Sequence, residues 1–203
     1  MVIAILILTA YLIGSIPTAV WYGRHLFKID VREHGSGNAG ATNTLRVLGN
    51  KAGFIVLFID LLKGFIATNL AHFSKFEIDT QSFFNLQMLL GVTAVVGHVF
   101  PVFASFKGGK GIATILGLAI ALNWKIATIC ILFFVLIVWI SRYISVGSMV
   151  TAIIGAVLSF YFYQNNIIAN AFFCSIAVLV IYTHRSNIIR LKNGNENRFS
   201  FKK

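Results

Sequence analysis

Apolar runs of about 20 residues, the length that crosses the hydrocarbon core of a bilayer, recur along the whole of this 203-residue chain. The chain is 58% hydrophobic and 11% charged, so a water-soluble globule of this composition would have to expose much of its apolar side-chain surface. The runs predict an all-α integral membrane protein, because a helix satisfies its own backbone hydrogen bonds in lipid. About seven spans are expected, at roughly 2 to 23, 53 to 73, 85 to 105, 110 to 123, 126 to 141, 148 to 163 and 167 to 184. The fourth is short for a full crossing. No stretch is left for a separate soluble domain, so residues 1–203 read as a single transmembrane domain.

Met1 leads directly into VIAILILTAYLIG, and the first cation is Arg24. A secretory signal would open with positive charge, so the first helix is expected to be retained. Cys130 and Cys174 each sit within an apolar run, away from any Cys-x-x-Cys or Cys/His spacing, and read as interior filler.

Charge is spread unevenly between the two sides these spans imply. Arg24, Lys28, Arg32, Arg46, Lys51, Lys107, Lys110 and Arg142 fall in loops on one side, together with the six cations of the tail. Lys75 and Lys125 fall on the other, and Lys63 lies within a span. The positive-inside rule then predicts an outside N-terminus and a cytoplasmic C-terminus. Only six acidic residues oppose seventeen Lys and Arg, for a net charge of +11. Anionic lipid accounts for part of this excess, at about 1 kcal/mol per cation near the surface, and most simply for Lys202 and Lys203. Nucleic acid is a poor partner, since no basic stripe alternates with exposed aromatics and the Phe residues lie mostly inside spans.

Three polar, glycine-containing segments share the cationic side: GSGNAGATNTLR (35–46), FKGGKG (106–111) and HRSNIIRLKNG (184–194). Glycine backbone leaves N–H groups accessible to a ligand, and Lys and Arg add countercharge, so the common target of such elements is phosphate. FKGGKG lacks the full G-x-x-x-x-G-K-[ST] spacing of a Walker A loop. Asp60 and Lys63, three residues apart in the second span, share a helix face and can pair, with Lys63 about 16 Å from the helix end near residue 52. That pair either serves a site or only holds helices together, and His98 in the third span is open to the same two readings. His25 and Asp30 match a His-x4-Asp dyad used by another group of glycerolipid acyltransferases, although two fixed letters recur often by chance. The histidines are far apart and no carboxylates have acid–base spacing, so no metal or cofactor is expected.

Six segments resemble the bacterial acyl-phosphate:glycerol-3-phosphate acyltransferases, in that family's order: GSIP (14–17), DVREHGSGNAGATNTLRVLG (30–49), DLLKG (60–64), GHVFPVF with FKGGKGIAT (97–114), RYISVGS (142–148) and HRSNIIRLKNGNE (184–196). The resemblance implies a seven-helix enzyme of the bacterial inner membrane with its active site on the cytoplasmic side. It would move a fatty acyl chain from acyl phosphate to the 1-hydroxyl of glycerol 3-phosphate, giving lysophosphatidic acid and phosphate, the first step of phospholipid synthesis. Two phosphorylated substrates, one bearing a long alkyl chain, suit anion loops on a lipid-embedded protein.

Within that implied reaction, Ser36, Asn38, Arg46, Lys110 and His184 are the catalytic candidates. Gly37, Thr42, Asn43, His98, Lys107, Gly108, Gly109, Gly111, Ser145 and Asn187 are candidates for substrate binding. Lys110 and the N–H groups around Gly108, Gly109 and Gly111 would hold a phosphate, and Arg46 would offer it a bidentate fork. Ser36 and Asn38 would orient the substrates, with His184 and Asn187 acting from the last helix. Either His184 or a substrate phosphate would take the proton. A transporter of a phosphorylated anion is the rival class, but it would need polar segments on both faces, and the outer connections are short. A scaffold for anionic lipid would have no use for Ser36, Asn38 or the glycine loops.

Overall fold

Proline at position 17 sets the first departure from a plain bundle, since its ring cannot continue the helix that precedes it. The computed structural model describes residues 1–199, and every regular element among them is helical. Lys202 and Lys203, expected at anionic lipid, lie outside the described residues. The chain forms two compact units, Met1–Leu122 and a second that begins at Asn123.

In the first unit, α1 (Val2–Gly14) and α2 (Thr18–Tyr22) flank a break over Ser15, Ile16 and Pro17. A π turn, Gly23–Phe27, extends α2 and ends at Lys28. The two halves meet at a bend of 43°. The continuous span expected over 2–23 is thus two pieces, for the reason Pro17 supplies. The short amphipathic α3 (Ala41–Leu48) leads through Gly49 into α4 (Asn50–Asn69). Then come α5 (Gln81–Val99), whose start is capped by the Thr80 hydroxyl accepting from Phe83 N–H at 3.2 Å, and α6 (Ile112–Leu122).

Small residues let α4 and α6 touch backbone to backbone. A methyl group on Gly64 would run into the Thr114 carbonyl, and one on Gly117 into the Leu61 carbonyl. Close approach of this kind is how membrane helices gain packing when lipid offers no hydrophobic drive between them. Beside this seam, Leu6 and Ala10 of α1, Ala67 of α4, and Phe83, Leu86, Leu90 and Ala94 of α5 form a buried apolar cluster.

The second unit holds α7 (Trp124–Ser141), α8 (Ile144–Phe162), α9 (Ile167–Thr183) and α10 (Arg185–Lys192). Asn123 caps α7 by accepting from Lys125 and Ile126 N–H, and Asn166 caps α9 by accepting from Ala169 N–H. α7 shows Leu132, Val135, Trp139 and Ile140 to its surroundings, a face that lipid solvates and water would not.

Among the described residues, four helical segments are long and apolar enough to cross a membrane: Asn50–Phe73, Gln81–Ala104, Trp124–Ser141 and Ile144–Phe162. The count reaches six if each bent pair, Val2–Gly14 with Thr18–Phe27 and Ile167–Thr183 with Arg185–Lys192, is one span. α6 is apolar, but its 11 residues rise only about 16 Å, roughly half of a hydrocarbon core.

Adding one methyl group should separate packing from backbone strain. Gly64→Ala is expected to lower the thermal unfolding midpoint in detergent well beyond Gly194→Ala. Gly194 has a φ of 71° with nothing near its missing Cβ, so its substitution carries only the left-handed backbone cost of about 1 kcal/mol.

Candidate functional site

The stretch from His34 to Asn43 is held by one buried amide. Asn43 lies in the first turn of α3, and its Oδ1 accepts from Ser36 N–H at 2.7 Å and from the Ser36 hydroxyl at 3.1 Å. Its Nδ2 donates to the carbonyls of Val31 at 2.7 Å and His34 at 3.0 Å. These bonds use both donors and both acceptor positions of the side chain. Asn43 therefore shapes the loop that presents Ser36, and the Ser36 hydroxyl is held by an amide oxygen, which is no base. Gly35 and Gly37 take left-handed backbone here (φ 61° and 72°), and a side chain on Gly35 would strike the Asn43 oxygen. Gly40 opens α3 without a capping side chain. Asn38 and Thr42 flank it half-buried, and Arg46 stands exposed on the same helix.

Asp30 anchors the beginning of this region. Its carboxylate accepts from Arg24 Nη2 and Arg32 Nη2, both at 2.8 Å, and from Arg32 N–H at 3.0 Å. Hydrogen bonding from Arg32 holds the carboxyl far below the ordinary carboxylate range against the opposing effect of burial. Asp30 is thus spent on arginines. The His25–Asp30 dyad is not formed: His25 is exposed and makes no hydrogen bond to Asp30 among the described bonds.

The second glycine segment folds back on the end of α5. Gly108 N–H donates to the Val99 carbonyl and Gly109 N–H to the His98 carbonyl, each at 3.2 Å. The expectation that these two amides face a phosphate is corrected by this geometry, since both serve the turn itself. Close packing explains why glycine is required. A Cβ on Gly109 would strike the Nε2 edge of His98 and come within 3.2 Å of the Ala39 carbonyl. The loop of residues 34–40 and the 107–111 segment therefore abut at Gly109. Just ahead of each segment, Arg32 donates to the Ala104 carbonyl at 3.2 Å. Lys107 is exposed, Lys110 half-buried and Gly111 buried, with a φ of 81°.

Behind this pair of loops lies an ion pair, Lys63 Nζ to Asp60 Oδ1 at 2.9 Å, both side chains nearly without exposure. His98 is buried beside it, with Nδ1 3.8 Å from Asp60 Oδ1 and 3.2 Å from the Thr114 hydroxyl.

In the second unit, three of the sequence candidates fall at the start of α8 and around α10. His184 occupies the α9–α10 junction, buried, with Nδ1 2.8 Å from the Val180 carbonyl. A carbonyl only accepts, so Nδ1 carries the proton and Nε2 is the basic nitrogen of the neutral ring. Ser145 and Asn187 meet on one carboxylate: the Ser145 hydroxyl donates to Glu196 Oε1 at 2.8 Å and Asn187 Nδ2 donates to the same oxygen at 2.6 Å. Arg190 Nε donates to Oε2 at 2.8 Å. Glu196 and Arg190 were not among the sequence candidates. A single acid in a tail of six cations was the available signal. Burial raises the Glu196 pKa, but the bonds from Arg190, Asn187 and Ser145 outweigh it and hold the group below its ordinary value. Among the described residues no three His, Cys, Asp or Glu side chains gather as a metal ion would require.

The class these features define is a multi-pass helical membrane protein whose polar loops are braced by buried amide, carboxylate and ion-pair groups. The sequence profile of the glycerol-3-phosphate acyltransferase family matches residues 4–194, and the chain belongs to that family. The glycerol-3-phosphate acyltransferase of Listeria welshimeri is 41% identical over 192 residues, covering 95% of this chain and 94% of the relative. Two crystal structures of PlsY (YgiH), an integral membrane glycerol 3-phosphate acyltransferase, are similar at 38% identity over 98% of this chain. The glycerol 3-phosphate form matches with a TM-score of 0.86 over 96% of its own chain. The lysophosphatidic acid form matches with a TM-score of 0.83 over 95%.

Two side chains give separate tests of the bracing. Asn43→Asp keeps the size but turns an anionic oxygen toward the Val31 and His34 carbonyls, so acyl transfer should fall about as far as in Asn43→Ala, by at least tenfold, about the effect of a misplaced loop, in an activity assay on folded protein. Glu196 is ionised more readily in the folded state, so its contribution is complete above the unfolded value, 4.5, and is lost as pH falls through the lower folded value. Glu196→Gln should be less stable than the parent at pH 7. The difference should shrink as unfolding midpoints are measured from about pH 5 downward.

Proposed function

We propose that the protein transfers a fatty acyl group from acyl phosphate to the 1-hydroxyl of glycerol 3-phosphate, releasing lysophosphatidic acid and phosphate. The observation that carries this is the likeness to PlsY in its glycerol 3-phosphate form, at 38% identity over nearly the whole chain. In the reaction the glycerol oxygen bonds to the acyl carbonyl carbon, the bond from that carbon to the phosphate oxygen breaks, and the electron pair leaves with phosphate. The hydroxyl proton passes to His184 or to a substrate phosphate. A mixed anhydride carries its own good leaving group, so positioning and charge neutralisation supply most of the barrier reduction.

In this reading Lys110 and Arg46 provide the countercharge, and Arg46 adds a planar fork that suits phosphate. Ser36 and Asn38 orient the substrates, and Gly37, Thr42, Asn43, Lys107, Gly108, Gly109 and Gly111 shape the two loops around them, with His98 behind. Ser145 and Asn187 of the second unit are taken as binding residues of the same reaction. Transfer is direct, without an acyl-Ser36 intermediate. The Asn43 amide oxygen on the Ser36 hydroxyl supports this, because nucleophilic serine needs a base at hydrogen-bond distance. The polypeptide is read as crossing a bacterial inner membrane seven times, N-terminus outside. The reaction is placed on the cytoplasmic side, a reading supported by the cations gathered in loops of one side.

Purified protein given acyl phosphate and glycerol 3-phosphate should form lysophosphatidic acid and inorganic phosphate, whereas acyl-CoA or acyl carrier protein donors should not replace acyl phosphate. Labelled donor without acceptor should leave no adduct on Ser36. Transport of a phosphorylated anion without transfer would overturn the reading, and a stable Ser36 ester would overturn direct transfer.

A further inference from the structure

An ion pair buried in a membrane helix is costly to place and calls for a use. Both members of the Asp60–Lys63 pair are engaged at the break in the first helix. Lys63 Nζ donates to the Ile16 carbonyl at 3.0 Å, within the break, and Asp60 Oδ1 accepts from the Thr18 hydroxyl at 2.8 Å, just beyond it. One pair on α4 therefore holds the chain on either side of Pro17, at Ile16 and Thr18.

The same pair faces the glycine loop on its other side. Asp60 Oδ1 and the Thr114 hydroxyl both approach His98 Nδ1, at 3.8 and 3.2 Å. The opposite edge of the ring, Nε2, lies against Gly109, and the His98 carbonyl accepts the Gly109 N–H at 3.2 Å. His98 thus fixes Gly109 by ring and by backbone, one residue before Lys110. Thr114 is itself fixed, since its carbonyl packs directly on Gly64, the residue after Lys63.

We infer that Asp60 and Lys63 are positioning residues for acyl transfer: together they hold the broken first helix and the His98 ring in the one arrangement that sets the 107–111 loop, and so the place at which Lys110 meets a phosphate group. This rests on the proposal that Lys110 binds phosphate. The phosphate belongs to either acyl phosphate or glycerol 3-phosphate, and the same chemistry would serve both.

The test uses the full-length protein in detergent, with Lys110→Met as the reference. The charge-neutral double variant Asp60→Asn/Lys63→Met avoids stranding a single buried charge. For each protein the unfolding midpoint, kcat, the KM for each substrate and inhibition by inorganic phosphate are measured. Lys110→Met should raise KM for one substrate, which names the phosphate held, and should weaken phosphate inhibition. The double variant should stay folded and raise that same KM and the phosphate inhibition constant by about tenfold, with kcat changed by less than about threefold, the pattern of lost binding with intact chemistry. Should the double variant not fold, Thr114→Val decides: it removes only the hydroxyl on His98 and should raise the same KM by about threefold at an unchanged unfolding midpoint. Binding within about twofold of the parent in the folded variant, beside a weakened Lys110→Met, overturns the inference and leaves the pair a helix tie. If Lys110→Met itself leaves both KM values and phosphate inhibition unchanged, the phosphate reading of the loop fails and the inference falls with it.

Discussion

Hydrocarbon offers no partner to a bare peptide group, so a membrane helix can be interrupted only where the protein itself takes up what the break releases. Here the interruption at Ser15–Pro17 is served by Lys63, whose ammonium reaches the Ile16 carbonyl, and Lys63 is tolerable in that setting because Asp60 lies 2.9 Å away. The first helix, α4, α5 and α6 meet around this pair. Its geometry fixes His98, and through His98 the turn that carries Lys110. Glycine at 64 and 117 is what lets α4 and α6 come close enough for the arrangement to exist.

The two loops of the first unit follow a similar logic with neutral groups. Asn43 gathers Val31, His34 and Ser36 with a single amide, and the end of α5 gathers Gly108 and Gly109 with its last carbonyls. In the second unit a carboxylate does the gathering, as Glu196 receives Ser145, Asn187 and Arg190. Each hub is a group with several hydrogen-bonding positions, filled mostly by backbone or side chains within about a dozen residues of it, with Ser145 on Glu196 the long-range exception. A filled hub leaves little freedom, and a rigid frame suits the proposed reaction, in which placing two substrates contributes more than a strong base.

The apolar helices were legible in the chain, and so was the pairing of Asp60 with Lys63, since three residues on a helix bring two side chains to one face. The break around Pro17 was not anticipated within the span expected at 2 to 23, and Lys63, 47 positions from the Ile16 carbonyl it binds, carries no local sign of that role. Glycine in FKGGKG suggested open amides. Instead the amides of Gly108 and Gly109 close a tight turn, and glycine is needed there because His98 and Ala39 leave no room for a side chain. Ser145 and Asn187 were named through the family resemblance, whereas nothing local marks Glu196 as the group that joins them, since Ser145 lies 51 positions away from it.

What the chain's residue order determined alone was a helical membrane protein with polar, glycine-containing loops, since hydrophobic length and helical spacing are properties of neighbouring residues. The tertiary structure decided which polar groups bind the chain itself. A buried donor or acceptor is satisfied by whatever the fold brings within 3 Å of it, and that partner can come from any distance along the sequence.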